Sequence, residues 1–178
     1  MAKGSDIWIF GYGSLMWNPG FAHLEAVPAL LRGYHRDFCM YSHRHRGTPE
    51  RPGLVLGLAP GGSCRGMAYR VAGARAREVL DYLHEREMGS YVYDPRWVPI
   101  TAVGRRVRAH TYVADVRHER FGGKQPPAYA AAIIAAGRGE SGRNIDYLES
   151  TVGHLAAIGF RDARLDRLLA LARALDSG

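Results

Sequence analysis

The sequence has little of what covalent cross-links or membrane anchors require. Only two cysteines, Cys39 and Cys64, occur in 178 residues, and neither belongs to a C-x-x-C pair. They cannot build a disulfide framework, so we expect reduced thiols and a cytoplasmic protein. No apolar run approaches the roughly 20 residues that span a bilayer. The first six residues also lack a charged and then apolar leader, so we expect neither a membrane partner nor secretion.

Lysine is scarce as well, and nearly all of the basic residues are arginine. The chain has 24 Lys+Arg against 17 Asp+Glu, which gives a formal net charge of +7. Such an excess can attract nucleic acid or a small anionic substrate. The arginines are scattered, however, with no long basic tail and no stripe of aromatic side chains on which bases could stack. We therefore expect no nucleic-acid partner and attribute most of this charge to solvated surface.

Turn-rich stretches divide the first two-thirds of the chain into short strand-like runs. The predicted strands are 7–10, part of 30–41, 54–58, 65–70, 97–103 and 107–115, with turns at 47–53 and 60–63. The predicted helices are 73–88, 127–136, 143–157 and 162–175. This order is not a regular β-α-β alternation, so it favours an α+β fold with a small mixed or antiparallel β-barrel surrounded by α-helices. The length predicts a single domain over residues 1–178.

The helix predicted at 73–88 carries a carboxylate where an apolar residue is expected. Ala76, Leu80 and Leu83 lie on one stripe, at steps of four and three residues. Glu87 is the next position on that stripe, about 40° round the helix from Leu83. The other acidic residues of the segment fall toward solvent. One carboxylate is therefore predicted to point toward the apolar side of the helix.

This position predicts a raised pKa for Glu87. The residue precedes Gly89, a helix stop, so it lies at the negative end of the helix dipole. Partial burial would also favour the neutral acid. A pKa raised by these effects suits a general acid–base group at neutral pH. The alternative is a structural carboxylate paired with a neighbour such as Arg86 or Arg70.

A glycine-containing loop follows the first predicted strand at once. After Ile9 and Phe10 the chain reads Gly11-Tyr12-Gly13-Ser14-Leu15. Glycines here allow positive φ and close approach of a ligand to main-chain N–H groups, which can bind an anion. The pattern is neither the G-x-S-x-G of a serine hydrolase nor the dinucleotide fingerprint. A plain tight turn is the alternative.

Taken together, these segments resemble the ChaC-type γ-glutamylcyclotransferases. The matching segments are FGYGSLMW at 10–17, RGTPERPG at 46–53, GMAYR at 66–70, YLHERE at 82–87 leading to Tyr91, and SGRN at 141–144 with Tyr147 and Leu148. They follow the order of the family and extend over roughly residues 7 to 150. One departure is the segment 88–91, where a serine replaces the second glycine of a common Gly-Gly-Tyr ending.

The resemblance implies a compact β-barrel ringed by helices, with Glu87 as the acid–base residue. It also implies a substrate site formed by Ile9, Phe10, Gly11, Tyr12, Gly13, Ser14, Leu15, Tyr91 and Arg143. The implied reaction cleaves glutathione into 5-oxoproline and cysteinylglycine by intramolecular cyclisation. The alternatives are a cyclotransferase for other γ-glutamyl amines or peptides, a hydrolase using Ser14, and a non-catalytic member that only binds small molecules.

Such a cyclisation needs neither a cofactor nor a metal. The attack is intramolecular, and one carboxylate between the two nitrogens can carry the proton from one to the other. His43 and His45 flank Arg44, but they lack the carboxylate or cysteine partners of a convincing zinc site. We therefore expect no metal. The 43–46 segment is either a solvated surface loop or a loop that covers the pocket or meets the glycine-end carboxylate of glutathione.

Overall fold

The computed structural model of this chain describes residues 4–87 and 92–176. Five strands form a barrel: β1 (Ile7–Gly11), β2 (Glu25–Ser42), β3 (Gly53–Val71), β4 (Tyr93–Ala102) and β5 (Arg105–Ala114). The helices are α1 (Ala76–Glu87), α2 (Pro127–Ala136), α3 (Asn144–Ala157) and α4 (Ala163–Asp176), and a short ribbon pairs β6 (Arg138–Gly139) with β7 (Gly142–Arg143).

The barrel closes in the order β1-β3-β2-β4-β5. β1 runs antiparallel to β3 and parallel to β5, whereas β4 runs antiparallel to both β2 and β5. The parallel pairing of β1 with β5 makes this a mixed barrel. The predicted α+β fold with a small mixed barrel and α-helices is therefore confirmed.

The chain divides into two compact units. The first comprises Met1–Arg36 and Leu58–Asp115, and the second comprises Asp37–Gly57 and Val116–Gly178. The first unit contains β1, α1, β4 and β5, and the second contains α2, α3 and α4. The single domain over residues 1–178 stays a prediction.

The turn predicted at 60–63 is wrong, because β3 is one strand of 19 residues that runs through it. Gly61 and Gly62 adopt φ values of +96° and +70° inside the strand. A glycine with positive φ can bend a strand locally without ending it. His35 of β2 contacts this bend, with its Nδ1 2.9 Å from the Gly61 carbonyl oxygen. Cross-strand pairing therefore keeps the two predicted strands continuous.

The core of the first unit lies between β1 and α1. Ile9 of β1 and Leu83 of α1 belong to one buried cluster, which is completed by Leu15, Tyr69, Val71, Val79 and Tyr112. Burial of these side chains is the main source of stability at this contact, at roughly 1.5–3 kcal/mol for each large apolar side chain. The cluster thus fixes α1 against the strand that leads into the glycine-containing loop.

Three helices build the second unit. Their buried faces include Ala131 and Ile134 of α2, Leu148 of α3 and Leu169 of α4. Asn144 at the start of α3 is fully buried and bonds both main-chain groups of Leu54, accepting from the amide at 2.6 Å and donating to the carbonyl at 2.8 Å. Within residues 4–87 and 92–176, no helix has the length and apolar character that crossing a membrane requires.

Candidate active site

The last turn of α1 brings Glu87 to the apolar side of the helix. Val79 and Leu83 are buried, and Glu87 lies one turn beyond Leu83 with its side chain 21% exposed. Glu78, Asp81 and Glu85 are exposed. The predicted orientation of Glu87 is confirmed, although Val79 occupies the centre of the buried face and Ala76 and Leu80 are only partly buried.

Burial raises the pKa of Glu87, and the nearby positive charge of Arg86 opposes this rise. The Arg86 Nε atom lies 3.5 Å from Glu87 Oε1. Arg70, the other partner that the sequence offered, pairs with Asp6 and Glu25. The predicted direction of the Glu87 pKa is confirmed, with burial as its main cause. The predicted helix stop at Gly89 lies outside the described residues.

The glycine-containing loop continues directly from β1 into a 3₁₀ turn at Ser14–Met16. Neither Gly11 nor Gly13 uses the positive φ that the sequence allows, and Gly13 has φ −129° and ψ −131°. Gly11 serves close packing instead, since a Cβ there would lie 2.9 Å from the Leu15 Cβ. A Cβ at Gly66 of β3 would overlap the Gly11 carbonyl oxygen. The need for glycine at Gly11 and Gly66 is therefore steric.

Two buried side chains hold this loop through its main-chain carbonyls. The Tyr69 hydroxyl donates to the carbonyls of Leu15 at 2.8 Å and Met16 at 3.0 Å. The Arg36 Nε donates to the Tyr12 carbonyl at 2.5 Å, and the same guanidinium donates to the Arg65 carbonyl at 2.7 Å. With its carbonyls bonded in this way, the loop has a defined conformation beside the barrel.

Arg86 joins the loop to the helix that carries Glu87. Its guanidinium donates to Ser14 Oγ at 2.9 Å and to the carbonyls of Asn18 at 2.9 Å and Pro19 at 3.3 Å. It also donates to the Tyr82 hydroxyl at 3.0 Å, one turn back on α1. The structure therefore brings together Ser14 and Glu87, two of the predicted site residues.

Ile9 and Phe10, also predicted to bind substrate, have buried side chains. Ile9 belongs to the core cluster, and Phe10 is fully buried. Both main chains pair with β3, where Ile9 lies opposite Tyr69 and Phe10 opposite Ala68. Their side chains therefore support the site by packing.

Arg143 and Tyr91 are two further predicted site residues. Arg143 lies in the second unit, where it pairs with Asp176 at 2.5 Å and with Asp146 at 3.9 Å. These contacts tie the start of α3 to the end of α4. Tyr91 lies outside the described residues. The binding roles of both stay predictions.

The 43–46 segment is held by the β6–β7 ribbon in the second unit. Arg44 pairs with Glu140 at 2.8 Å, and His45 Nδ1 lies 3.1 Å from Ser141 Oγ. Arg46 donates to the Ser141 carbonyl at 2.6 Å and lies over the Tyr147 ring. Across the described residues, no three His, Cys, Asp or Glu side chains gather into a set that could hold a metal ion.

Three buried polar residues of the first unit were not predicted from the sequence: Arg36, His110 and Tyr112. Burial, with a contribution from the charge of Glu87, raises the pKa of Tyr112 to about 12. His110 lies two residues before it on β5, and the two rings make an edge contact with centroids 5.2 Å apart. Burial, with a contribution from His84, lowers the pKa of His110. The period-two spacing of His110 and Tyr112 was the available signal.

The chain matches known proteins over most of its length. A model of the ChaC-like protein family matches residues 7–175. The glutathione-specific γ-glutamylcyclotransferase of Escherichia coli (strain K12) is 38% identical over 164 residues, which are 92% of this chain and 71% of that protein. Glutathione-specific γ-glutamylcyclotransferase 1 of Homo sapiens is 38% identical over 147 residues, covering 80% of this chain and 66% of that protein.

A solved structure has the same fold. It is the crystal structure of a γ-glutamylcyclotransferase specific to glutathione from yeast, in selenomethionine-labelled form. It superposes with a TM-score of 0.83 at 25% identity and covers 96% of this chain and 97% of that one. Since the family model covers nearly the whole chain, the protein belongs to the ChaC-like family.

Proposed function

We propose that this protein is a glutathione-specific γ-glutamylcyclotransferase that converts glutathione into 5-oxoproline and cysteinylglycine. The observation that carries the proposal is the largely buried Glu87 carboxylate at the end of α1, joined through Arg86 to the loop at Ser14. The names of the relatives from Escherichia coli and Homo sapiens support glutathione as the substrate.

The reaction needs one conformation of the substrate and one proton carrier. In a γ-glutamyl amide, the α-amino nitrogen can reach the γ-carbonyl carbon of the same residue and close a five-membered lactam. Holding the bent conformer makes the attack intramolecular, which can lower the barrier by several kcal/mol. The new C–N bond forms as the old amide C–N bond breaks, and no water is consumed.

Glu87 carries the proton between the two nitrogens. The substrate ammonium has no lone pair, so the ionised carboxylate first accepts a proton from it. The protonated acid then donates that proton to the leaving nitrogen of cysteinylglycine. Because burial raises the pKa of Glu87, its acid form is a more accessible intermediate than that of a solvated glutamate. One side chain thus serves as base and then as acid.

The segment from Gly11 to Leu15 is the part of the site that we assign to the γ-glutamyl group. Main-chain N–H groups can stabilise the oxygen that gains charge as the lactam closes. Tyr69 and Arg36 donate hydrogen bonds to carbonyls of this segment. The segment therefore has a defined conformation before substrate binds. The side chains of Ile9 and Phe10 are buried, so these two residues contribute through their main chain and packing.

We further propose that Arg143 and Tyr91 bind substrate. Arg143 is 35% exposed while paired with Asp176, so its guanidinium keeps donors that a substrate carboxylate can share. We assign the protein to the cytoplasm, because its two cysteines, Cys39 and Cys64, cannot build a disulfide framework. We assign it no nucleic-acid partner, because its arginines are scattered along the chain.

Incubation of the pure protein with glutathione, followed by detection of 5-oxoproline, tests the proposal. Glu87→Gln keeps the shape but removes proton transfer, so turnover should fall by a factor on the order of 100 or more. Glu85→Gln, on the exposed face of the same helix, is the matched control and should be unaffected. A folded Glu87→Gln variant with normal turnover would show that another residue carries the proton.

Two assays separate the alternatives. Glutathione and other γ-glutamyl amines and peptides, compared side by side, decide the substrate range. A hydrolase using Ser14 would release free glutamate with oxygen from labelled water, whereas the cyclisation does neither. Binding of glutathione without either product would indicate a non-catalytic member of the family.

A further inference from the structure

Arg86 lies between the glycine-containing loop and the last turn of α1, and it contacts both. Its side chain is only 21% exposed and makes four hydrogen bonds to groups from two separate parts of the chain. Three of these reach Ser14, Asn18 and Pro19, about 70 residues earlier in the sequence. The fourth reaches Tyr82 on α1 itself. A surface arginine with a single ion pair would not be ordered in this way.

The forked guanidinium of arginine can hold acceptors from two chain segments at once, whereas the ammonium group of lysine is less suited to do so. Arginine presents five N–H donors in one plane, so a single side chain can bind several acceptors in fixed directions. Here the NH1 end serves the Asn18 and Pro19 carbonyls and the Tyr82 hydroxyl, and the NH2 end serves Ser14 Oγ. The Nε atom remains toward Glu87, 3.5 Å from Oε1.

We propose that Arg86 is a positioning residue of the reaction, which fixes the loop at Ser14 and the Asn18–Pro19 turn against the last turn of α1, beside the Glu87 carboxylate. The proposal rests on the proposed function, because it assigns Arg86 to the reaction that Glu87 carries out. It adds a role for the arginine, which the family resemblance of this segment did not assign.

The position of Arg86 also gives it an electrostatic role. Its positive charge lowers the pKa of Glu87 and so opposes the effect of burial. Among the described residues, the charge of Glu87 also acts on Tyr112 of β5, whose ring contacts His110. Tyr112 is neutral at physiological pH because its pKa is about 12. The pKa of His110 is lowered, so it is neutral there as well.

Two substitutions separate position from charge. Arg86→Gln removes both the hydrogen bonds and the positive charge, so kcat/KM should fall by about tenfold or more. The acid limb of its pH profile should move to higher pH, because the charge that lowers the pKa of Glu87 is gone. Arg86→Lys keeps the charge but lacks the fork, so the rate should fall while the acid limb stays near its original position. Arg77→Gln is the control, since Arg77 lies on the same helix, is 96% exposed and pairs only loosely with Asp81 at 3.8 Å.

Hydrogen–deuterium exchange of the amides of residues 13–18 tests the contact without any activity assay. Exchange should be faster in Arg86→Gln than in the wild type, and unchanged in Arg77→Gln. Unaltered exchange in Arg86→Gln, an acid limb that does not move, or a fully active Arg86→Lys would each overturn the proposal. If the wild type forms no 5-oxoproline, the proposed function fails, and exchange alone then decides whether Arg86 holds the loop.

Discussion

The buried guanidinium of Arg36 donates from Nε to the carbonyl oxygen of Tyr12, across 2.5 Å. Arg36 lies on β2, and Tyr12 lies in the loop that follows β1. The same guanidinium donates to the Arg65 carbonyl on β3. One side chain thus holds the loop and a neighbouring strand in a fixed relation.

Arg36→Met should leave these two carbonyls without their charged donor. Because a hydrogen bond to a charged group contributes about 1.5–3 kcal/mol, we expect the free energy of unfolding to fall by about 2 kcal/mol. Turnover should fall by roughly tenfold or more as the loop shifts. Denaturant unfolding and 5-oxoproline assays measure the two effects. Arg32→Met, at an exposed position of the same strand, should change neither. If Arg36→Met has the unfolding free energy and turnover of the wild type, other contacts hold the loop.

The pH dependence of kcat/KM should show the raised pKa of Glu87. The first proton transfer requires the ionised carboxylate, so activity is lost as the pH falls through its pKa. Because burial raises this pKa, the acid limb should lie above the ordinary glutamate value of about 4.3. Circular dichroism at each pH separates titration from acid unfolding. A limb near the ordinary value, on folded protein, would contradict the burial of this carboxylate.

Glu87→Gln should stabilise the protein near neutral pH while it abolishes turnover. A carboxyl whose pKa is raised on folding stabilises the folded state fully only below its unfolded pKa, and this stability is lost as the pH rises through the folded pKa. Neutral glutamine avoids that loss. The gain in melting temperature should therefore be present near neutral pH and shrink below about pH 4.3. Glu85→Gln serves as the exposed control, and an equal gain in both variants would argue against this explanation.

Gly20→Ala should destabilise the turn that Arg86 holds. Gly20 has φ +74°, and a Cβ there would overlap the Tyr82 hydroxyl, which is itself bonded to Arg86. Backbone strain and this overlap should together lower the free energy of unfolding by about 2 kcal/mol. Gly153→Ala in α3, with no atom within 4 Å of the added Cβ, should instead be neutral or stabilising by up to about 1 kcal/mol. Thermal unfolding of the two variants compares them directly.

Dialysis against EDTA should leave 5-oxoproline formation unchanged. The cyclisation asks only for a bent substrate and one proton carrier, and Glu87 can act on both nitrogens. Turnover before and after dialysis gives the answer, with a zinc-dependent enzyme treated in parallel as the control. Loss of activity that zinc restores would redirect attention to His43 and His45.

Local patterns predicted the elements that depend mainly on local interactions. The apolar spacing of α1, including the position of Glu87, was visible in the sequence because residues three and four apart share a helix face. The helix α2 was predicted at its observed bounds, Pro127–Ala136. The continuity of β3 was not predicted, since Gly61 and Gly62 look like a turn until β2 lies beside them. Arg36 was missed because a single arginine in a strand pattern is indistinguishable from a surface residue.

The sequence by itself determined the family, through five short motifs in a fixed order, and singled out Glu87 through helical periodicity. The tertiary structure alone decided which groups surround that carboxylate. Arg86 and Ser14 are 72 residues apart, and Arg36 and Tyr12 are 24 residues apart. Hydrogen bonds over such separations depend on the closed barrel and on the packing of α1 against β1. Periodicity describes one element at a time, whereas burial, the pKa of Glu87 and the partners of a guanidinium depend on several elements at once.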